Sequence, residues 1–134
     1  MTELEVRNTV HKYYWIDDIN CATITLKTLF IAFSIEISSQ VVDSAIGLHG
    51  AGKYGAQCGL VEGCLLFIGI DGKVLNLDNK DIVEICSFFA EGFEHKFSSL
   101  LCSQLRPGGF NDTDPEHLCE DITVDAINWG INFI

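Results

Sequence analysis

The sequence predicts an all-α fold, a compact bundle of about six or seven helices with a glycine-rich loop leading into a buried central helix. Three observations carry this. Apolar residues recur at helical spacing in most segments, and no stretch alternates convincingly enough for a sheet. Capping residues stand ahead of those segments. The stretch GLHGAGKYGAQCGLVEGCLLFIG, from Gly47 to Gly69, opens on Gly47, Gly50, Gly52 and Gly55 and then becomes a long apolar run starting at Cys58. Glycine suits backbone that turns tightly or approaches something closely. A thiol is therefore expected at the mouth of a buried helix.

The elements follow in order. Val6, Val10, Tyr13 and Tyr14 make a one-sided stripe in a first helix, from about Thr2 to Trp15. Asn20 is placed to cap a second helix starting at Cys21. That segment, CATITLKTLFIAFSIEI, has the threonine and isoleucine content of a strand but the length of a helix. Ser38 or Ser39 caps a short third helix carrying Val41, Val42, Ala45 and Ile46 and ending at Gly47. The central helix is expected from about Ala56 to Gly69, with Glu62 its one charge after Cys58. Gly59 and Gly63, one turn apart, let another backbone come close. Asp71-Gly72 reads as a turn. A fifth helix near Asp81 to Phe97 presents Ile82, Cys86, Phe89 and Phe93 on one face. Ser98 or Ser99 then caps a short helix with Cys102 in its first turn, which Pro107-Gly108-Gly109 stops. Asp114 before Pro115 signals the start of the last helix, with Leu118, Ile122, Ala126 and Trp129 as its apolar face.

At 134 residues the chain is expected to form a single domain over 1–134. The 48% hydrophobic content supports a substantial core. A net charge of −11 argues against nucleic acid or anionic lipid as a partner, since both need cationic contacts. No apolar run reaches the roughly 18 residues of a membrane span. The start, MTELEVRN, lacks the basic and apolar regions of a secretory signal, so a cytoplasmic location is expected. Six cysteines in such a chain point to metal binding or thiol chemistry rather than structural disulfides.

Four cysteines share one local setting. Cys21 follows the capping Asn20, Cys58 begins the buried helix, Cys102 follows Ser98 and Ser99, and Cys119 sits early in the Pro115 helix. First-turn amides favour the thiolate, the form that ligates metal or attacks a disulfide. Lys53 near Cys58 and Arg106 after Cys102 push the same way, whereas Asp114, Glu116 and Glu120 oppose it at Cys119. Cys58 and Cys102 are therefore the expected redox thiols. Cys64 and Cys86 sit among apolar neighbours and read as core. His11 and His95 read as surface residues, while His49 and His117 lie within sequence reach of the thiols. Glu62, one turn after Cys58, is placed to orient or deactivate that thiol. Gly50, Gly52 and Gly55 spell a dinucleotide fingerprint, and Gly47, Gly52 and Lys53 nearly spell a phosphate loop. Both lack the strand–helix context, and Tyr54 stands where the second needs Ser or Thr. No C-x-x-C pair is present.

In order, these pieces resemble the C_GCAxxG_C_C family, named for its motif and described as redox-active. Asn20-Cys21-Ala22 is similar to its opening, and the Gly47–Gly55 loop to its glycine-rich segment. Cys58-Gly59-Leu60-Val61-Glu62-Gly63 resembles its core, with Leu60 where the family has Ala. Phe93 to Phe97, then Ser99 and Cys102, resembles its Phe-x-x-x-Phe-x-x-x-x-Cys stretch, and Cys119 takes the last cysteine's place. The likeness runs over roughly residues 20–127. It implies a helical second segment and Cys21, Cys58, Cys102 and Cys119 as the functional set. With Gly59 and Gly63 of the core, these make the cofactor-binding group. The family's association with oxidoreductase and transporter genes implies a redox partner protein or such a complex.

The first expectation is that the four cysteines converge to bind a metal, zinc or an iron–sulfur cluster. The second is metal-free thiol–disulfide exchange through Cys58 or Cys102, with no cofactor. The third is a non-catalytic interaction domain of an oxidoreductase or transporter complex. The sequence leaves open whether the protein turns over as an enzyme, and whether one subunit or a homodimer supplies the cysteines.

Overall fold

The computed structural model describes residues 1–109, 111 and 113–134. They form α1 (Glu3–Trp15), α2 (Cys21–Ala32), α3 (Ser39–Ser44), α4 (Gly50–Lys53), α5 (Gly59–Val74), α6 (Asn79–Phe97), α7 (Cys102–Leu105) and α8 (Glu120–Phe133). Among the described residues there is no strand, only an antiparallel bridge between Gln57 and Leu101. The all-α expectation holds, with single turns at α4 and α7 raising the count. No described helix is long and apolar enough to cross a membrane.

Local chemistry explains the ends of the long helices. Thr2 and Glu5 form a reciprocal capping box on α1. Asn20 accepts from the Thr23 amide at 3.1 Å and starts α2 where expected. Thr25 and Thr28 donate to the carbonyls of Cys21 and Ile24, at 2.8 and 2.7 Å, so their hydroxyls are satisfied inside a helix despite their strand propensity. α2 ends at Ala32, earlier than its apolar run. Ser34 adopts a left-handed φ of 54°, and the amides of Ser34 and Ile35 return to Ile31 and Phe30.

Several expected boundaries shift. The central helix starts at Gly59 rather than Ala56, because Ala56 to Cys58 pairs with the chain around Leu101. It runs through the Asp71-Gly72 turn signal to Val74 and is closed by Asn76 at φ 60°. A Cβ on Gly72 would lie 2.6 Å from Ile82 Cγ1, so this glycine serves the approach of α6. The fifth helix, α6, begins at Asn79 under an Asp78 cap rather than near Asp81. Ser98 ends α6 in a left-handed conformation instead of starting the next helix, and the N-cap of α7 is Leu101. Asp114 does not start the last helix. Its carboxylate is taken by Arg106 and the Asn111 amide, and α8 begins at Glu120 with Cys119 as N-cap.

α2 against α5 is the most extensive helix pair, followed by α1 against α8 and α5 against α6. One apolar cluster centres on Phe67, Phe89 and Phe93 with Leu26, Leu29, Leu60 and Val61. A second joins Val6, Val10, Tyr13 and Tyr14 to Ile24, Val124 and Ile127. Burying each large side chain contributes about 1.5–3 kcal/mol.

Asn20 also holds the chain leading into the glycine loop, because its Nδ2 donates to the Ile46 carbonyl at 2.9 Å. Asn20→Ala is expected to cost about 1–2 kcal/mol, at the upper end for a lost cap. Urea denaturation checks this. A cost within a few tenths would mean that neither contact matters.

Candidate functional site

Each of the four cysteines singled out lies at a helix N-terminus. Cys21 is the first residue of α2 and Cys102 of α7, while Cys58 caps α5 and Cys119 caps α8. The Gln57–Leu101 bridge joins two of them. The Cys58 amide donates to Leu100 at 2.8 Å and the Cys102 amide to Ala56 at 2.7 Å. Side chains alternate along such a pair, so Cys58 and Cys102 share one face as diagonal neighbours. Leu101, on the other face, is 42% exposed. Ladder geometry separates such diagonal Cα atoms by about 7–8 Å, beyond the disulfide range of about 4.4–6.8 Å.

Glycines make room for the sulfurs. A Cβ on Gly59 would lie 2.5 Å from Cys21 Sγ, and one on Gly50 would lie 3.0 Å from Cys102 Sγ. The glycine loop reaches Cys102 through a left-handed turn, with φ of 67°, 55°, 66° and 68° at Gly50, Ala51, Gly52 and Lys53. This geometry costs a residue with a Cβ about 1–2 kcal/mol, so Ala51 and Lys53 are held there by their surroundings. The space above Gly63 is filled by Ala22 and Thr25 of α2.

All six cysteines are free thiols. Burial is the first cause of a raised pKa at each of the four. Cys58, only 5% exposed, is pushed up to about 12, although the Leu60 and Val61 amides favour its thiolate. Cys21 is pushed up as well, with repulsion from Cys58, Cys119 and Cys102 adding to burial. Cys102 and Cys119 bear on Cys58, and Cys119 bears on Cys102. The four thiols thus form one electrostatic group. At half-buried Cys102 and Cys119, Arg106 opposes the rise, and it also hydrogen-bonds the Cys119 sulfur. Gly109 O and Asp114 hold that guanidinium at 3.1 and 3.3 Å.

Other expectations resolve differently. Burial outweighs the first-turn amides at Cys58, and Lys53 bears on His49, whose pKa is lowered by burial first and by Lys53 second. Glu62 accepts from Gln57 Nε2 at 3.1 Å. Cys64 and Cys86 pack with the main apolar cluster, as expected, although Cys58 also bears on Cys64. His117, two residues before Cys119, packs edge-on against Trp15 at 4.6 Å. Among the described residues, no three His, Cys, Asp or Glu side chains are set to hold a metal ion.

Sequence reasoning missed Tyr14, which it read only as part of an apolar stripe. The ring is buried, and its hydroxyl lies 2.8 Å from Thr123 Oγ1. Burial first, then the charges of Cys21, Cys119 and Cys58, raises its pKa, with Thr123 opposing between them. The available signal was a pair of phenols, Tyr13 and Tyr14, in an otherwise aliphatic stripe, since a buried tyrosine hydroxyl needs a partner.

The family described as "Putative redox-active protein (C_GCAxxG_C_C)" matches residues 19–132. The chain belongs to the C_GCAxxG_C_C family. No curated protein and no solved structure matches it. The C_GCAxxG_C_C match takes in all four cysteines and both glycines of the Cys58–Gly63 core, and it begins after α1.

Proposed function

We propose that this C_GCAxxG_C_C protein carries electrons on its own thiols, exchanging with the disulfide of a redox partner protein. The observation that carries this is the split in the thiol group. Cys102 and Cys119 are half-buried beside Arg106, while Cys58 lies deep and Cys21 is pushed up further by its neighbours. The Cys119 thiol, favoured by both the field and the hydrogen bond of Arg106, is the attacking group. Its thiolate breaks the partner's S–S bond and forms a mixed disulfide, and the departing partner sulfur takes up the proton that Cys119 released. Cys102 then attacks Cys119 Sγ, closes an internal disulfide and releases the partner's second thiol with the Cys102 proton. The partner gains two electrons and two protons, and the reverse sequence oxidises it. Cys58 is thereby moved from the attacking role to an inner one beside Cys21.

The metal reading is the second one, and the mutual repulsion of four thiolates at helix N-termini favours it, since a bound cation would offset that charge. As arranged among the described residues, the side chains do not form a ligand set, so ligation by Cys21, Cys58, Cys102 and Cys119 would need them to draw together. An iron–sulfur cluster there would supply one-electron transfer, and zinc would not. The interaction-domain reading is an outcome of the same test.

Anaerobic purification followed by metal analysis and redox titration decides among them. The expected result is sub-stoichiometric metal, with thiols lost in pairs and recovered by reductant. Both thiols of the pair hold protons near neutrality, so the midpoint should fall by about 59 mV per pH unit. Stoichiometric iron or zinc would move the protein to the metal reading. Metal-free protein with unpaired, unresponsive thiols would leave only an interaction domain.

A further inference from the structure

One face of α1 lies along the segment that carries Cys119. Arg7 Nη1 meets Asp121 at 3.4 Å and His11 Nδ1 meets Glu120 at 2.7 Å. The Tyr14 hydroxyl meets Thr123 at 2.8 Å, and the Tyr14 and Trp15 rings lie 5.0 and 4.6 Å from the His117 ring. His117 also lies 3.8 Å from Asp18, just beyond α1. Residues 7, 11, 14 and 15 recur at helical spacing, so a single stripe touches the chain on both sides of Cys119.

Proton placement singles out one contact. Thr123 Oγ1 donates to the Cys119 carbonyl at 2.8 Å. Its oxygen must then accept from Tyr14, giving a chain that runs from the phenol through Thr123 to the backbone of Cys119. Thr123 is fully buried and Tyr14 nearly so, whereas Asp121 is almost wholly exposed. A buried hydrogen bond with no water to replace it constrains geometry far more than an exposed ion pair.

We infer that α1 is a clamp on the Cys119 turn, and that Tyr14 is the positioning residue through which it sets the reactivity of that thiol. This assigns a role to a helix ahead of residues 19–132, the span shared with the family. It rests on the redox reading for its purpose, though not for its geometry. Tyr14 takes no part in the electron transfer; it holds the Cys119 backbone so that the sulfur stays beside Arg106 and partly shielded from water.

The test follows iodoacetamide labelling of each cysteine against pH by mass spectrometry, with Cys86 as internal reference. Tyr14→Phe keeps the ring on His117 and removes the donor. Thr123→Val keeps the shape and removes both links. Arg7→Ala is the surface control. In both buried variants the Cys119 rate is expected to rise at least about threefold relative to Cys86, because the sulfur loses its shielding and gains access to the reagent. Cys86 and the Arg7→Ala protein should stay unchanged. Unaltered Cys119 profiles in folded variants would overturn the proposal, as would an equal rise at all six cysteines. Should Thr123→Val fail to fold, Tyr14→Phe alone decides. The measurement needs neither partner nor turnover. A wild type inert in thiol exchange would therefore sink the redox reading while leaving the clamp to stand or fall on its own.

Discussion

Gly59→Ala with Gly63→Ala is expected to cost about 2–4 kcal/mol, a large part of the roughly 5–15 kcal/mol that holds a domain together. A Cβ at Gly59 would lie 2.5 Å from Cys21 Sγ and 2.9 Å from the Ala22 nitrogen. At Gly63 it would lie 2.7 Å from the Ala22 carbonyl oxygen and 2.8 Å from Thr25 Cβ. The obstacles include backbone, so α2 as a whole must move off α5, its most extensive contact. Overpacking costs typically about 1–3 kcal/mol per site and sometimes more, and these sites belong at the top of that range. Two glycine-to-alanine changes return about 2 kcal/mol through helix propensity. The two costs share Ala22 and will not add in full. Gly69→Ala in the same helix is the control, because nothing lies within 4 Å of its added Cβ. It should stabilise by about 1 kcal/mol. Urea denaturation of the three proteins reads both signs. A double variant as stable as wild type would mean that the helices do not cross this closely. Displacing the Cys21 sulfur should also speed its alkylation, linking the packing to the site.

Raising the pH is expected to weaken the fold from about pH 8.5 upward. Folded Cys58 keeps its proton until about pH 12, whereas an unfolded cysteine loses it near about 8.5. Between those values the native state binds more protons than the unfolded one, so stability falls as pH rises, and below the window the contribution is complete and flat. Burial raises Cys21 and Cys64 in the same direction. Each pKa unit corresponds to about 1.4 kcal/mol, so one deep thiol forfeits several kcal/mol by about pH 12. Coupling within the group keeps the total below the sum over thiols. The kinetic counterpart is selective labelling. Near pH 8 the thiolate fraction of Cys58 is about three orders of magnitude below that of an ordinary cysteine. Cys102, Cys119 and half-buried Cys86 should therefore react first, and Cys21, Cys58 and Cys64 last. Equal labelling of Cys58 and Cys102, or unchanged stability between about pH 8 and 11, would contradict the buried thiol group.

Much of the fold was legible because it rests on local chemistry. Asn20, Ser38 and Thr2 act on amides within three residues, and the stripes of α1 and α6 appear as apolar periodicity. The boundaries that shifted depend on distant partners. Asp71-Gly72 is a turn signal in isolation, yet it stays helical because α6 packs Ile82 against Gly72. Asp114-Pro115 is a start signal in isolation, but Arg106 and Asn111 take its carboxylate. Cys58 was expected to be acidic from its helix terminus and Lys53. Its actual state follows from burial, which no local pattern displays.

The sequence by itself determined the helical class and the N-terminal setting of four cysteines, which are written in spacing and capping within a few residues. It also determined membership of the C_GCAxxG_C_C family, which is written in the order of its motif pieces along the chain. Only the tertiary structure decided which thiols lie deep and which lie beside Arg106, how the Gln57–Leu101 bridge sets Cys58 against Cys102, and that α1 reaches the Cys119 turn through Tyr14 and Thr123. Burial, like-charge repulsion and a hydrogen bond across 109 residues of chain are properties of what packs against what, and they exist only once the helices have come together.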